Sequence, residues 1–242
     1  MKTSLKHLSI CTAIALSFNP FNLLLADDIP KAEKKAKDKT HRVDNYDKNA
    51  MGINAPMYDY YANKIKETTN ITQGVCLDVG SGGGYMGLAL SKITDLDFIF
   101  LDISKEALKK ADQHIKEYHL EKKAKTLLAN VESIPLEDNS IDLVISRGSI
   151  PFWEHPEKGL AEIYRVLKVG GKAYVGGGKG SPEIRAAIDK KLQEMGKEPR
   201  MNKHKVHGDG MKRDYAQLLQ SVEIKNFKIH QGDDGKWIEM WK

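Results

Sequence analysis

Val75–Gly87 reads V-C-L-D-V-G-S-G-G-G-Y-M-G. Val75–Val79 is a short apolar run with β-branched residues, the pattern of a buried strand. Asp78 stands near its end, and Gly80, Gly82, Gly83 and Gly84 follow almost together. A helix-like pattern resumes over Met86–Lys92, so the unit is strand, glycine turn, helix. A backbone without Cβ takes positive φ and lets a ligand approach closely. The helix start beyond it offers free N–H groups and a partial positive charge. Such a turn receives a nucleotide-like ligand at the carboxyl end of a parallel sheet. Taken alone, the same glycines also suit a turn that merely packs.

Phe98-Ile99-Phe100-Leu101-Asp102 is a second apolar run that ends in an acid. Asp102 lies roughly 20 residues beyond the glycine turn, the separation expected of a ribose-binding carboxylate on the second strand. The competing reading is a surface Asp that caps the next helix, a role Ser104 also fits.

Asp78-Val-Gly80-Ser-Gly82-Gly-Gly84 resembles the first motif of class I S-adenosylmethionine-dependent methyltransferases of the type 11 kind, D/E-x-G-x-G-x-G. A dinucleotide fingerprint is one residue looser, G-x-G-x-x-G, and lacks the acid two residues before it. Asn130–Ser146 is similar to the same family's D-A-x-x-L-P-F-x-D-x-S-F-D-x-V stretch. Glu157–Gly171 is similar to its E-x-x-R-V-L-K-P-G-G helix and turn. The resemblance covers roughly Tyr58–Val175. It implies S-adenosylmethionine as cofactor and methyl transfer as activity. The cofactor-binding set it implies is Asp78, Gly80, Ser81, Gly82, Gly84, Asp102, Ile103, Asn130 and Val131. Asn130 stands where the family carries an acid that holds the adenine amino group. The side-chain carbonyl of an asparagine accepts such a bond as well.

The implied fold is α/β, a Rossmann-like three-layer sandwich. Its seven-stranded, mostly parallel sheet runs 3-2-1-4-5-7-6 and finishes in an antiparallel C-terminal hairpin. A chain of 242 residues is long enough for one such domain with a full core. The hydrophobic share of 40% and charged share of 29% are globular values. The net charge of +5 sits largely in lysine-rich segments and argues poorly for nucleic acid.

Residues 1–26 have a different character. Lys2 and Lys6 precede the apolar stretch Leu8–Phe18, and Ala26 is a small residue before a polar sequence. That is the order of a secretory signal peptide, too short and interrupted for a transmembrane helix. It points to an exported or periplasmic protein. The cytosolic origin of the implied cofactor points instead to the cytoplasm. Without that segment only Cys76 remains, so cysteine usage decides neither way. Residues 27–50, with K-A-E-K-K-A-K-D-K at Lys31–Lys39, read as a charged linker. The methyltransferase domain is then 51–242.

Further along, Tyr58, Tyr60, Tyr61 and Ile65 are spaced as a helix before the first strand. Glu157–Leu167 reads as a helix that Gly170-Gly171 caps, with a fifth strand over Lys172–Val175. Val222–Gln231 and Lys236–Trp241 read as strands of a hairpin. His204 and His207 fit a solvated basic loop better than a metal site. Arg147–His155 (R-G-S-I-P-F-W-E-H) leaves the fourth strand at the cofactor edge. Its substrate-side candidates are Arg147, Trp153 and His155. Arg147 either binds an acidic substrate group or pairs with a carboxylate. Trp153 either walls a pocket or packs the loop, and His155 serves as helix entry or as base. A small acceptor fits these residues better than a polymer. A non-catalytic, regulatory adenosylmethionine-binding protein is the alternative function, and a nucleotide-dependent oxidoreductase is disfavoured by the tight glycine spacing.

Overall fold

The computed structural model describes residues 41–197 and 213–242. The signal-like stretch Met1–Ala26, the lysine-rich segment Lys31–Lys39, and His204 and His207 lie outside these residues. Two helices come first, α1 (41–51) and α2 (Ala55–Thr69). Then follow β1 (Gln73–Val79), α3 (Tyr85–Ser91), β2 (Asp95–Asp102), α4 (Lys105–Glu117) and β3 (Ala124–Leu128). The second half holds β4 (Ile141–Arg147), a 3-10 turn (Ile150–Phe152), α5 (Pro156–Val166) and β5 (Leu167–Gly177). It ends with α6 (Pro182–Glu194), α7 (Tyr215–Ser221), β6 (Phe227–Gly232) and β7 (Gly235–Trp241).

The sheet has seven strands in the order β3-β2-β1-β4-β5-β7-β6, as the resemblance implies. The pairs from β3 to β5 are parallel, and β7 runs antiparallel to both β5 and β6. Strand alternation sorts side chains between two apolar layers. Cys76, Phe98 and Phe100 face one layer with α1, α2, α3 and α4. Leu77, Val79, Ile99 and Leu101 face the other with α5 and α7. Both faces are covered, which is why these strands read as continuous apolar runs.

Three expectations are corrected. Residues 41–50 are helical, not linker. Their apolar side sinks Ala50 into the core and sets Tyr46 against the Tyr85 ring at 5.6 Å. Asp44 pairs with Lys110 of α4 at 2.9 Å. Gly170-Gly171 does not cap α5. That helix ends at Val166, and β5 starts at once, because Leu167 already pairs with Ile141. The glycines serve an irregularity in that pairing. Gly170 has φ +83°, and a Cβ on Gly171 would stand 3.1 Å from the carbonyl oxygens of Ile141 and Asp142. Finally, β6 begins at Phe227, since Val222 closes α7 and Ile224 is drawn into the core beside it.

Asp142, at the far end of the sheet from the glycine turn, is structural. It accepts from the Val75 amide at 2.8 Å and from Lys168 Nζ at 2.7 Å.

The glycine unit is bound to β2 by close packing of α3. A Cβ on Gly87 would lie 2.4 Å from Phe100 Cε1 and 3.2 Å from Phe98 Cδ1. Overpacking a core costs about 1–3 kcal/mol. The helix-propensity gain of Gly→Ala offsets at most about 1 kcal/mol of it. Gly87→Ala is therefore expected to lower Tm by a few degrees in thermal unfolding. An unchanged or higher Tm would refute the tight α3–β2 contact.

Candidate active site

β1 delivers the chain to a turn in which Gly80, Gly82 and Gly84 have φ of +65°, +57° and +81°. Side chains rarely tolerate that region, so glycine is required there. The turn is stitched to β2 from both sides. Ser81 N–H donates to the Leu101 carbonyl at 3.0 Å, and Gly82 N–H donates to Asp102 Oδ2 at 2.8 Å. Asp102 Oδ1 accepts from Ser104 N–H at 2.8 Å, while Ser104 Oγ caps α4 by accepting from Ala107 N–H at 3.2 Å. Capping therefore falls to Ser104, and the Asp102 oxygens, each holding one backbone amide, keep acceptor capacity for a ligand.

Behind the turn, His114 of α4 is buried. Its Nδ1 lies 2.8 Å from the Gly83 carbonyl, and its Nε2 lies 3.3 Å from Asp47 Oδ1 on α1. Tyr85 O–H donates to the same Asp47 oxygen at 3.0 Å. The N-terminal helix is thus fastened to the back of the glycine turn.

In front of the turn opens a cavity of about 530 Å³. Small-molecule sites commonly fall in the range of about 300–1,000 Å³. Among the residues singled out from sequence, Asp78, Gly80, Ser81, Gly82, Asp102, Ile103, Asn130, Val131, Arg147 and Trp153 line it. Gly84 does not; it stands at the N-terminus of α3, where a Cβ would press on Phe100 at 3.3 Å. His155 does not either. It opens α5, its amide donates to Glu132 Oε1 at 2.9 Å, and its imidazole lies 3.6 Å from Glu157, so the helix-entry reading holds.

Trp153 meets both of its readings. Its indole N–H donates to Ser149 Oγ at 3.2 Å, its ring packs on Gly159, and it still walls the cavity. Asn130 Oδ1 accepts from the Glu132 amide at 3.0 Å, turning part of its acceptor capacity onto its own loop. Ile103, 73% exposed, offers a flat apolar surface beside Asp102.

Sequence reading missed Tyr46, Tyr85, Met86 and Ser149 as lining residues. It placed Tyr58 on the helix before the first strand without assigning it to the cavity. Tyr46 was lost because 27–50 read as linker. The spacing of Val43, Tyr46 and Ala50 at i, i+3 and i+7 was a usable helical signal.

An adenosylmethionine-sized ligand fits these residues. The turn is glycine where a side chain would narrow the cradle. Ser81 Oγ beside it is buried with no partner among the described residues, and Asp102 retains acceptor capacity. Among the described residues no cluster of His, Cys, Asp or Glu could hold a metal ion.

Asp78 is buried under the turn and accepts from the Gly87 amide, in the first turn of α3, at 3.0 Å. Burial pushes its carboxyl up to about 7, against the lowering effect of that amide, and the nearby Asp102 charge raises it further. A carboxyl raised in the folded state binds its proton more tightly folded than unfolded. Its stabilising contribution is full below the unfolded value near 3.9 and is lost as pH rises through about 7. Asp78→Asn keeps an acceptor for Gly87 without the charge. The variant is expected to lose less stability than the wild type between pH 5 and 8 in denaturant titrations. Parallel pH profiles for the two proteins would contradict this.

Comparison with known proteins agrees with this geometry. The methyltransferase domain family matches residues 77–175. A solved structure from Methanococcus maripaludis, provisionally described as an S-adenosylmethionine-dependent methyltransferase, is 34% identical with a TM-score of 0.73. The similarity covers 84% of this chain and 93% of that one. The chloroplastic 2-methyl-6-phytyl-1,4-hydroquinone methyltransferase of Arabidopsis thaliana is 37% identical over 98 residues, which are 40% of this chain and 28% of that protein. The ubiquinone/menaquinone biosynthesis C-methyltransferase of Rickettsia prowazekii is 34% identical over 113 residues, 45% of each chain. The chain thus spans less than half the length of these two curated relatives. The glycine turn, the acid that ends β2, the strand order and similarity over nearly the whole of a solved relative agree: the chain belongs to the class I S-adenosylmethionine-dependent methyltransferases.

Proposed function

We propose that this protein transfers the sulfonium methyl of S-adenosylmethionine to a small-molecule acceptor inside the cavity. One observation carries the reading. A single cavity joins the glycine turn and Asp102 to a wall made by Tyr58, Arg147, Phe152 and Trp153, with room for two small ligands' reacting ends to meet. The donor supplies an already activated methyl, because its leaving group is a neutral thioether. The chain's own task is then alignment and exclusion of water. Gly82 and Asp102 form the ribose end, Ile103 and Val131 give apolar surface for a base, and Tyr46, Tyr58 and Trp153 close the cavity around the reacting centre. Among the described residues no histidine lines the cavity, and a strong base is needed only if the acceptor is protonated at working pH. The aromatic wall suits an aromatic acceptor. The two curated relatives, named for a hydroquinone and for ubiquinone/menaquinone biosynthesis, support that class.

Incubation with methyl-labelled donor and extract of the source cells tests the reading. Label is expected in a low-molecular-weight product. Asp102→Ala is expected to weaken donor binding by about 1–3 kcal/mol in calorimetry, as for a lost hydrogen-bond partner to a charged group. Tight donor binding with no labelled product would leave a regulatory binding protein instead. For the compartment, the signal-like order of Met1–Ala26 supports export. Mass spectrometry of the native protein is expected to find Asp27 at the N-terminus, and an intact Met1 or Lys2 start would overturn it.

A further inference from the structure

β4 ends in Arg147, whose guanidinium is set into the cavity wall. Nη2 donates to the Gly178 carbonyl at 2.8 Å and lies 2.8 Å from Met57 Sδ; Nη1 reaches Tyr58 O–H at 3.5 Å. The guanidinium carbon sits 4.9 Å from the centre of the Tyr58 ring and 5.8 Å from that of Tyr61. Nε is buried with no partner among the described residues. No described carboxylate pairs with it, so the ion-pair reading of Arg147 is not met.

A guanidinium stays charged at any working pH. Here one carbonyl dipole and two ring faces offset part of its lost hydration, and no opposite charge is supplied. The other ionisable side chains that line the cavity among the described residues, tyrosines aside, are the acids Asp78, Asp102, Glu132 and Glu154. Arg147 is therefore the one place on this wall where an anion is favoured over water. Its Nη1, held only by the 3.5 Å contact to Tyr58 O–H, keeps donor capacity for a charge-assisted bond to a carboxylate.

Resting on the reading of the cavity as a methyl-transfer site, we propose that Arg147 is the receptor for a carboxylate brought into the cavity by a ligand. Two sources share that chemistry: an acidic group on the methyl acceptor, and the amino-acid tail of the donor. The full chain and its Arg147→Met and Arg147→Lys variants are titrated calorimetrically. The probes are S-adenosylhomocysteine, its decarboxylated analogue, and benzoate with and without saturating S-adenosylhomocysteine.

If the donor tail is the source, the wild type prefers S-adenosylhomocysteine to its decarboxylated analogue at least tenfold. Arg147→Met then levels the two, and Arg147→Lys restores part of the preference. If the acceptor is the source, both nucleosides bind wild type and variants alike. Benzoate then binds the S-adenosylhomocysteine-saturated wild type at least tenfold more tightly than Arg147→Met. The proposal is overturned if both variants match the wild type for every probe. It is also overturned if every affinity falls by one common factor together with Tm, the signature of a structural role. Benzoate on the ligand-free protein reads the receptor without the donor. A positive result there, with no methyl transfer to any acceptor, would remove the proposed function and leave the receptor standing.

Discussion

The Asp102 carboxylate accepts the Gly82 amide with one oxygen and the Ser104 amide with the other. That pair of bonds is the constraint on which the site depends. It fixes the glycine turn after β1 against the end of β2, across the parallel register that pairs Val79 with Leu101. A turn with three positive-φ glycines has many conformations in the unfolded chain and pays for order in entropy. Its geometry is held because β2 supplies the acceptor, Leu101 takes the Ser81 amide, and His114 takes the Gly83 carbonyl.

The opposite wall is held from farther away in the chain. The tip of the β6–β7 hairpin carries Asp234, which accepts from Tyr60 at 2.8 Å and pairs with Lys64. Tyr61 donates to the Asp234 carbonyl and accepts from the Gly180 amide at 2.9 Å. A Cβ on Gly178 would overlap the Asp234 carbonyl, so glycine there lets the hairpin tip and the end of β5 meet. The Gly178 carbonyl in turn accepts from Arg147. The position of the cavity's cation is thus set by a helix before the first strand and a hairpin at the end of the chain.

Charge and burial oppose each other within the site. Asp78 sits beneath the turn in a place that raises its carboxyl, while Asp102 stays partly exposed a few residues' width away. A buried acid near neutrality is a local cost, which the Gly87 amide in the first turn of α3 offsets only in part. Sites that bind a charged ligand often keep such tension, because it makes the bound state more favourable relative to the empty one.

The strand–turn–helix unit and the acid that ends the second strand were legible in the sequence from local chemistry: apolar runs mark strands, and clustered glycines mark positive φ. The sheet order and the cofactor-binding set came with the family resemblance, and ten of the residues that line the cavity were singled out in advance. Helix α1 and the role of Gly170-Gly171 were not. Residues 41–50 are mostly polar, and their faint helical spacing gains its partners only in the fold, where Tyr85, His114 and Lys110 meet Tyr46, Asp47 and Asp44. The glycine pair reads as a helix cap until Ile141 draws Leu167 into the sheet. Arg147 shows the division most clearly. Its sequence determined that a permanent cation ends the fourth strand at the ligand edge. Only the tertiary structure decided that no described carboxylate meets it, because pairing between groups distant in the chain is a matter of packing, which local sequence does not encode.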